Sequence, residues 1–250
     1  MLLLNFYIFT FLVNFTFTFA AFIPNGRSYH SSVLIDNKLY FSGGSLNYSS
    51  SSITNEFFYL DVSKPFTTTD KDSMPWIDLT YTGGPLKAGA TTCIGGKNND
   101  MIFILGGTFN QSFVNQFDTS KRQWINITSV GNVPTDRIDI SCANFDNGLI
   151  AIFSGVSSSN SIPFPNDLWI FNTLTLTWSL SSATNAPLNL FSYCAVTLPD
   201  GNILYIGGIG YYSNYMPMNN LPLYNTKYDT WTNLVYRAQL LLLVNFFQLY

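Results

Sequence analysis

Few side chains of this 250-residue chain could carry metal, redox or nucleophilic chemistry: one histidine, His30, three cysteines, Cys93, Cys142 and Cys194, and 15 tyrosines. A single imidazole supplies one metal ligand, and any Ser-His-Asp set would have to be assembled on it. Three thiols are an odd number, so at least one stays free unless it pairs between chains. Each cysteine lies 13 or 14 residues before a glycine (Gly107, Gly155 or Gly208), and His30 lies 14 before Gly44. Matched positions in successive repeats do not easily build a mutual disulfide or a shared metal site. The expectation is three small buried hydrophobes and a hydrogen-bonded strand histidine. The densest charge cluster, Asp136, Arg137 and Asp139, reads as a salt-bridged strand start rather than a catalytic carboxylate pair. Turn chemistry accounts for the Asp/Asn loops without calcium. No phosphate-cradling glycine loop precedes a helix. These residues predict no catalytic group, no metal and no cofactor.

The elements that would position any site are short apolar runs stopped by glycine. Met101–Leu105 ends on Gly106-Gly107, and variants end on Gly43-Gly44, Ser154-Gly155 and Gly207-Gly208. Runs this short, rich in Ile, Phe and Tyr, predict strands buried on both faces. Before each lies a polar-to-apolar strand and a tight turn through Asp36-Asn37, Asn98–Asp100, Asp146–Gly148 or Asp200–Asn202, the chemistry of antiparallel hairpins. A third strand ends on Asp61, Asp118, Asn172 or Asn225, and a fourth opens on Trp76, Trp124, Trp178 or Trp231. From Asp/Asn to Trp is six residues in the last three repeats, with Thr after the Asp/Asn each time; the first repeat carries an insertion, Lys64–Ser73. Successive tryptophans are 48, 54 and 53 residues apart, a period that marks them as blade-packing residues.

The glycine pair, the later Asp/Asn position and the tryptophan, in register four times over Gly26–Leu234, resemble kelch repeats. The resemblance implies an all-β kelch-type β-propeller of four four-stranded antiparallel blades over residues 26–235. Four repeats lie at the bottom of the known range, so the expectation is an open or incomplete ring. Tyr236–Gln239 resembles the start of a fifth repeat that runs into an apolar tail ending at Tyr250. Kelch chains are similar to the galactose oxidase-like copper radical oxidases, whose copper site requires two histidines and two tyrosines. One histidine cannot complete that set, so the alternative to a binding module is an oxidase relative without a complete active site, retaining carbohydrate affinity.

Met1–Ala21 is nearly all Leu, Phe, Ile, Val and Thr, and reads as a secretory signal with a small-residue cleavage site or as an uncleaved anchor; a Phe-rich strand is the third reading. Secretion would suit the sequons at Asn47, Asn110 and Asn126. Charged residues are 10% of the chain, far below the roughly 25% of an average protein, and net charge is −3 without a basic cluster. That argues against nucleic acid and anionic membrane surfaces and leaves membrane contact to the N-terminal segment. Binding is expected on the rim that carries the loops after the glycines. There Tyr211, Tyr212, Tyr215 and Met216 are the candidate residues, with a protein as the partner.

Overall fold

The computed structural model describes residues 21–46, 52–69, 73–108, 111–129, 131–146, 148–157, 164–210 and 213–235, and among them it forms no α-helix. The Met1–Ala20 segment, Asn47, Asn110, Tyr211, Tyr212 and the tail from Tyr236 lie outside the described residues. Four antiparallel sheets follow one another along the chain. The first is β1 (Ser31–Ile35), β2 (Lys38–Ser42), β3 (Phe57–Asp61) and β4 (Trp76–Asp78). The second is β5 (Ala90–Gly95), β6 (Met101–Gly106), β7 (Val114–Asp118) and β8 (Gln123–Ile125). In the third, a two-residue ladder between β9 (Arg137–Ile138) and β12 (Val156–Ser157) sits beside β10 (Cys142–Phe145), β11 (Leu149–Phe153), β13 (Leu168–Asn172) and β14 (Thr177–Leu180). The fourth repeats that plan. There β15 (Leu190–Phe191) pairs β18 (Ile209–Gly210), and the blade is β16 (Cys194–Thr197), β17 (Ile203–Ile206), β19 (Asn220–Asn225) and β20 (Thr230–Val235). The four sheets form an open kelch arc, with no hydrogen-bonded pairing between β1 and β16.

Strand alternation assigns one face of each blade to the blade before it and the other to the blade after. Tyr40, Phe57 and Tyr59 of the first blade pack with Ile102, Ile104 and Phe117 of the second. The opposite face of the second blade, Phe103, Leu105 and Val114, meets Ile150, Ile152 and Phe171 of the third. Ala151, Phe153 and Leu168 then meet Ile203, Tyr205 and Tyr224 of the fourth. The core is therefore three slabs between blades, not one central mass. This is why β6, β11 and β17 run apolar through successive positions rather than at alternate ones.

All four tryptophans occupy one register position, opposite the residue that precedes the Asp/Asn: Trp76 faces Leu60, Trp124 Phe117, Trp178 Phe171 and Trp231 Tyr224. Three of them reach back to the preceding blade, where Trp124 packs on Phe57, Trp178 on Phe113 and Trp231 on Phe153. Among the described residues no blade precedes that of Trp76, which packs within its own sheet on Phe41 and Phe58. The Asp/Asn side chains hold the turns before these strands: Asp118 Oδ1 accepts the Lys121 N–H, and Asn172 Oδ1 accepts those of Leu174 and Thr175. The threonine that follows ties this turn to the inner hairpin. Thr119, Thr173 and Thr226 Oγ1 donate to the carbonyls of Asp100, Gly148 and Gly201.

The cysteine expectation is corrected. Cys93 and Cys142 form a disulfide between the second and third blades, with Cα atoms 6.3 Å apart, and Cys194 is exposed, not buried. The two cysteines are not at matched positions: Cys93 stands 14 residues before Gly107 and Cys142 13 before Gly155, and in a strand that one residue reverses the face. Cys93 lies opposite Phe103, four residues before Gly107, whereas Cys142 lies opposite Ile152, three before Gly155. One step of register turns one side chain to the following blade and the other to the preceding blade, so the two thiols meet. By the same register Cys194, opposite Ile206, faces forward from the last blade.

Candidate functional site

The rim that carries the glycine ends is stitched by backbone that crosses the blade boundaries. The N–H of Gly44 donates to the carbonyl of Lys87 at 2.7 Å, Gly107 to Arg137 at 3.0 Å and Gly155 to Leu190 at 2.9 Å. The glycine before it leaves no room for a side chain. A Cβ on Gly43 would lie 2.1 Å from the Lys87 carbonyl oxygen, and one on Gly106 2.5 Å from that of Arg137.

A buried cation caps the same corner from within each of the first three blades. Arg27 Nη1 donates to the Gly43 carbonyl at 3.2 Å, Lys87 Nζ to that of Gly106 at 2.6 Å and Arg137 Nη1 to that of Ser154 at 3.0 Å. Each cation also binds the residues just before the third strand. Arg27 pairs with Glu56 and Arg137 with both carboxylate oxygens of Asp167, while Lys87 donates to the carbonyls of Ser112 and Phe113. Burial lowers the Lys87 ammonium to about 7, with the Asp136 charge opposing. The partner of Arg137 is thus Asp167, not the neighbouring Asp136 and Asp139. Sequence reading missed this device, although a basic residue 16, 19 and 17 residues before the first glycine position is its signal. The fourth blade has Leu190 in its place, whose N–H donates to Ser154 Oγ.

Nearer the axis a second chain of hydrogen bonds links the blades. Ser192 N–H donates to the Asp139 carbonyl (2.8 Å), Asp139 to Gly89 (3.0 Å) and Gly89 to Tyr29 (2.9 Å). All four residues have left-handed backbone, with φ between 53° and 70°. They line a shallow axial depression of about 190 Å³ together with His30, Ala90 and Ile140. Desolvation, then the Arg27 charge, lowers the His30 pKa, and desolvation raises that of Asp139. Both shifts favour the neutral forms. Among the described residues no group of three or more His, Cys, Asp or Glu is placed to hold a metal ion.

Of the rim residues expected from sequence, Tyr215 is 84% exposed while Met216 packs on the core beneath the loop. Met218, two residues on, is 64% exposed. The loop is held rather than free: Ile209 bridges Tyr215, and the Met216 N–H donates to the Gly208 carbonyl at 3.0 Å. Tyr29, Tyr81 and Leu188, in the segments that lead into the first, second and fourth blades, are exposed on this same rim. On the opposite rim, a depression of about 550 Å³ is lined by Lys97, Asn99, Asn144, Leu174 and Thr197. Its central polar groups are already used, because Asn144 exchanges bonds with the Ile94 backbone and Thr197 Oγ1 donates to the Asn144 carbonyl. Asn126, the sequon asparagine among the described residues, is exposed just past β8.

The comparisons with known proteins agree with this geometry. No curated protein matches the chain. A family model, the KLHDC2/KLHL20/DRC7 Kelch-repeats domain, matches residues 66–241, from the loop before β4 to just past β20. The structure adds β1–β3, which complete a blade of the same register outside the matched span. With more than two thirds of its length matched and four blades of one pattern, the chain belongs to the kelch-repeat family, a class of protein-interaction domains.

Proposed function

We propose that the chain is a non-catalytic binding module that grips a protein partner through the glycine rim. The observation that carries this reading is the loop after Gly208, which backbone hydrogen bonds hold in place while Tyr215 and Met218 point to solvent. A hydrogen-bonded segment that exposes an aromatic ring and a thioether binds at little entropic cost. The Tyr211-Tyr212 pair belongs to the same loop by sequence. The double variant Tyr215→Ser/Met218→Ser tests it. Partners crosslinked by the wild-type chain should be lost at unchanged thermal stability, and unchanged crosslinking removes the loop from consideration. Stoichiometric copper or peroxide formation from alcohols would overturn the non-catalytic reading.

The same proposal places the module in the secretory pathway. The Cys93–Cys142 bridge supports an oxidising compartment, and the exposed Asn126 sequon suits it. Expression in a secreting host checks it: the chain should appear in the medium and lose mass on enzymatic deglycosylation. Retention in the cytosol with both thiols reduced would exclude it.

A further inference from the structure

We propose that two copies of this chain close on each other head to tail, the fourth blade of each against the first blade of its partner, to make a ring of eight blades. The two outer faces of the arc are the two halves of the interface that already occurs three times inside it. Forward-facing positions that are buried in earlier blades recur on the fourth as Cys194, Val196, Leu204, Ile206, Leu221 and Leu223, all of them apolar or thiol; Leu204 and Leu221 are already buried in the single chain, and the other four are exposed or partly so. Backward-facing positions recur on the first blade as Leu39, Phe41, Phe58, Leu60 and Trp76; Phe58 and Leu60 are already buried in the single chain, Phe58 under Phe22 and the Arg27 guanidinium, so Leu39, Phe41 and Trp76 are the part left to a partner. The counterparts of Leu39 and Phe41 in the other blades, Ile102, Ile104, Ile150, Ile152, Ile203 and Tyr205, are at most 1% exposed, while Leu39 and Phe41 themselves are only half-buried.

The backbone is complementary in the same sense. Each boundary uses a bond from the second glycine to the carbonyl of the capping residue, and one from the left-handed residue to its predecessor. At the ends of the arc, Gly208 N–H and Ser192 C=O have no such partner among the described residues, and neither do Arg27 C=O and Tyr29 N–H. A second copy supplies both missing partners, Arg27 C=O to Gly208 and Tyr29 N–H to Ser192. The clearance is present as well. A Cβ on Gly207 meets nothing nearer than Met218 Sδ at 3.9 Å, where the same position in the first blade, Gly43, is closed by Lys87 at 2.1 Å. Contacts of this head-to-tail kind form closed rings when the rotation per unit divides the circle, and eight blades lie within the range of known propellers.

Sedimentation of the full chain tests the proposal. A discrete dimer is expected, dissociating on dilution, and with it a Cys194 alkylation rate that rises about tenfold as the dimer falls apart. Leu223→Asp and Phe41→Asp should each give monomers, and mixing the two should restore a dimer, since each variant keeps the face the other lacks. Gly207→Ala should weaken pairing without removing the far-ultraviolet signature of the monomer's sheets. A monomer at every concentration, as when the chain's own tail covers the last blade, overturns the proposal. So does open-ended polymer, or a dimer indifferent to all three substitutions.

Discussion

Gly43 and Lys87 meet across the first blade boundary so closely that a methyl group on the glycine would stand 2.1 Å from the lysine carbonyl oxygen. The obstacle is backbone, and it cannot rotate away. Gly43→Ala should therefore cost about 2–4 kcal/mol, combining a steric shift of the next blade with a left-handed φ of 62°. Gly207→Ala, at nearly the same φ but in open space, should cost only about 1–2 kcal/mol at concentrations where the arc is monomeric. Urea unfolding of the two variants checks the difference.

Arg137 is fully buried and holds Asp167 with two hydrogen bonds, at 2.6 and 3.2 Å. Removing one partner leaves a charge with no counterion, so Asp167→Asn should cost about 3–5 kcal/mol. Arg137→Met together with Asp167→Leu should be milder than Asp167→Asn alone, because no stranded charge remains. A double-mutant cycle by chemical denaturation reads this directly.

The bridge between Cys93 and Cys142 closes a loop of 49 residues. On the chain-entropy account a loop of that size contributes up to about 4 kcal/mol, mainly by restricting the unfolded chain. Cys93→Ala/Cys142→Ala should thus lower the melting temperature markedly, and reductant should have no further effect on it. Thiol titration of the unreduced native chain should find one reactive group, Cys194.

Lys87 gives the fold a pH dependence. Its ordinary value of 10.5 falls to about 7 in the folded chain, chiefly by burial. Between those two values the unfolded chain binds the extra proton, so stability rises with pH through the window from about 7 to about 10.5 and loses that increment as pH falls to 7. The slope attributable to this one group is at most about 1.4 kcal/mol per pH unit. Melting curves across this range should show the rise in wild type and a flatter profile in Lys87→Met.

The repeat was legible because its signals are short in sequence and recur. Glycine pairs, Asx turns and the tryptophan that follows are each a short residue pattern, and all recur in register. What could not be read lies between blades. The Cys93–Cys142 bridge turns on a one-residue difference in distance to the glycine, 14 against 13, whose effect on facing emerges only once the strand pairs are known. The capping cations were hidden differently. Arg137 stands next to Asp136 and Asp139 in sequence, yet its partner Asp167 is 30 residues away. On the rim, Met216 and Met218 look equivalent in sequence, yet Met216 packs on the core and Met218 is exposed.

The left-handed chain from Ser192 through Asp139 and Gly89 to Tyr29 uses main-chain atoms alone to tie the blades at the axis. Four dissimilar side chains, a hydroxymethyl, a carboxylate, a hydrogen and a phenol, hang from equivalent points of one scaffold without taking part in it. At Tyr29, Asp139 and Ser192, where a side chain already sits on left-handed backbone, the chemical character of this centre can change blade by blade, whereas at Gly89 an added Cβ would stand 3.2 Å from Ile138.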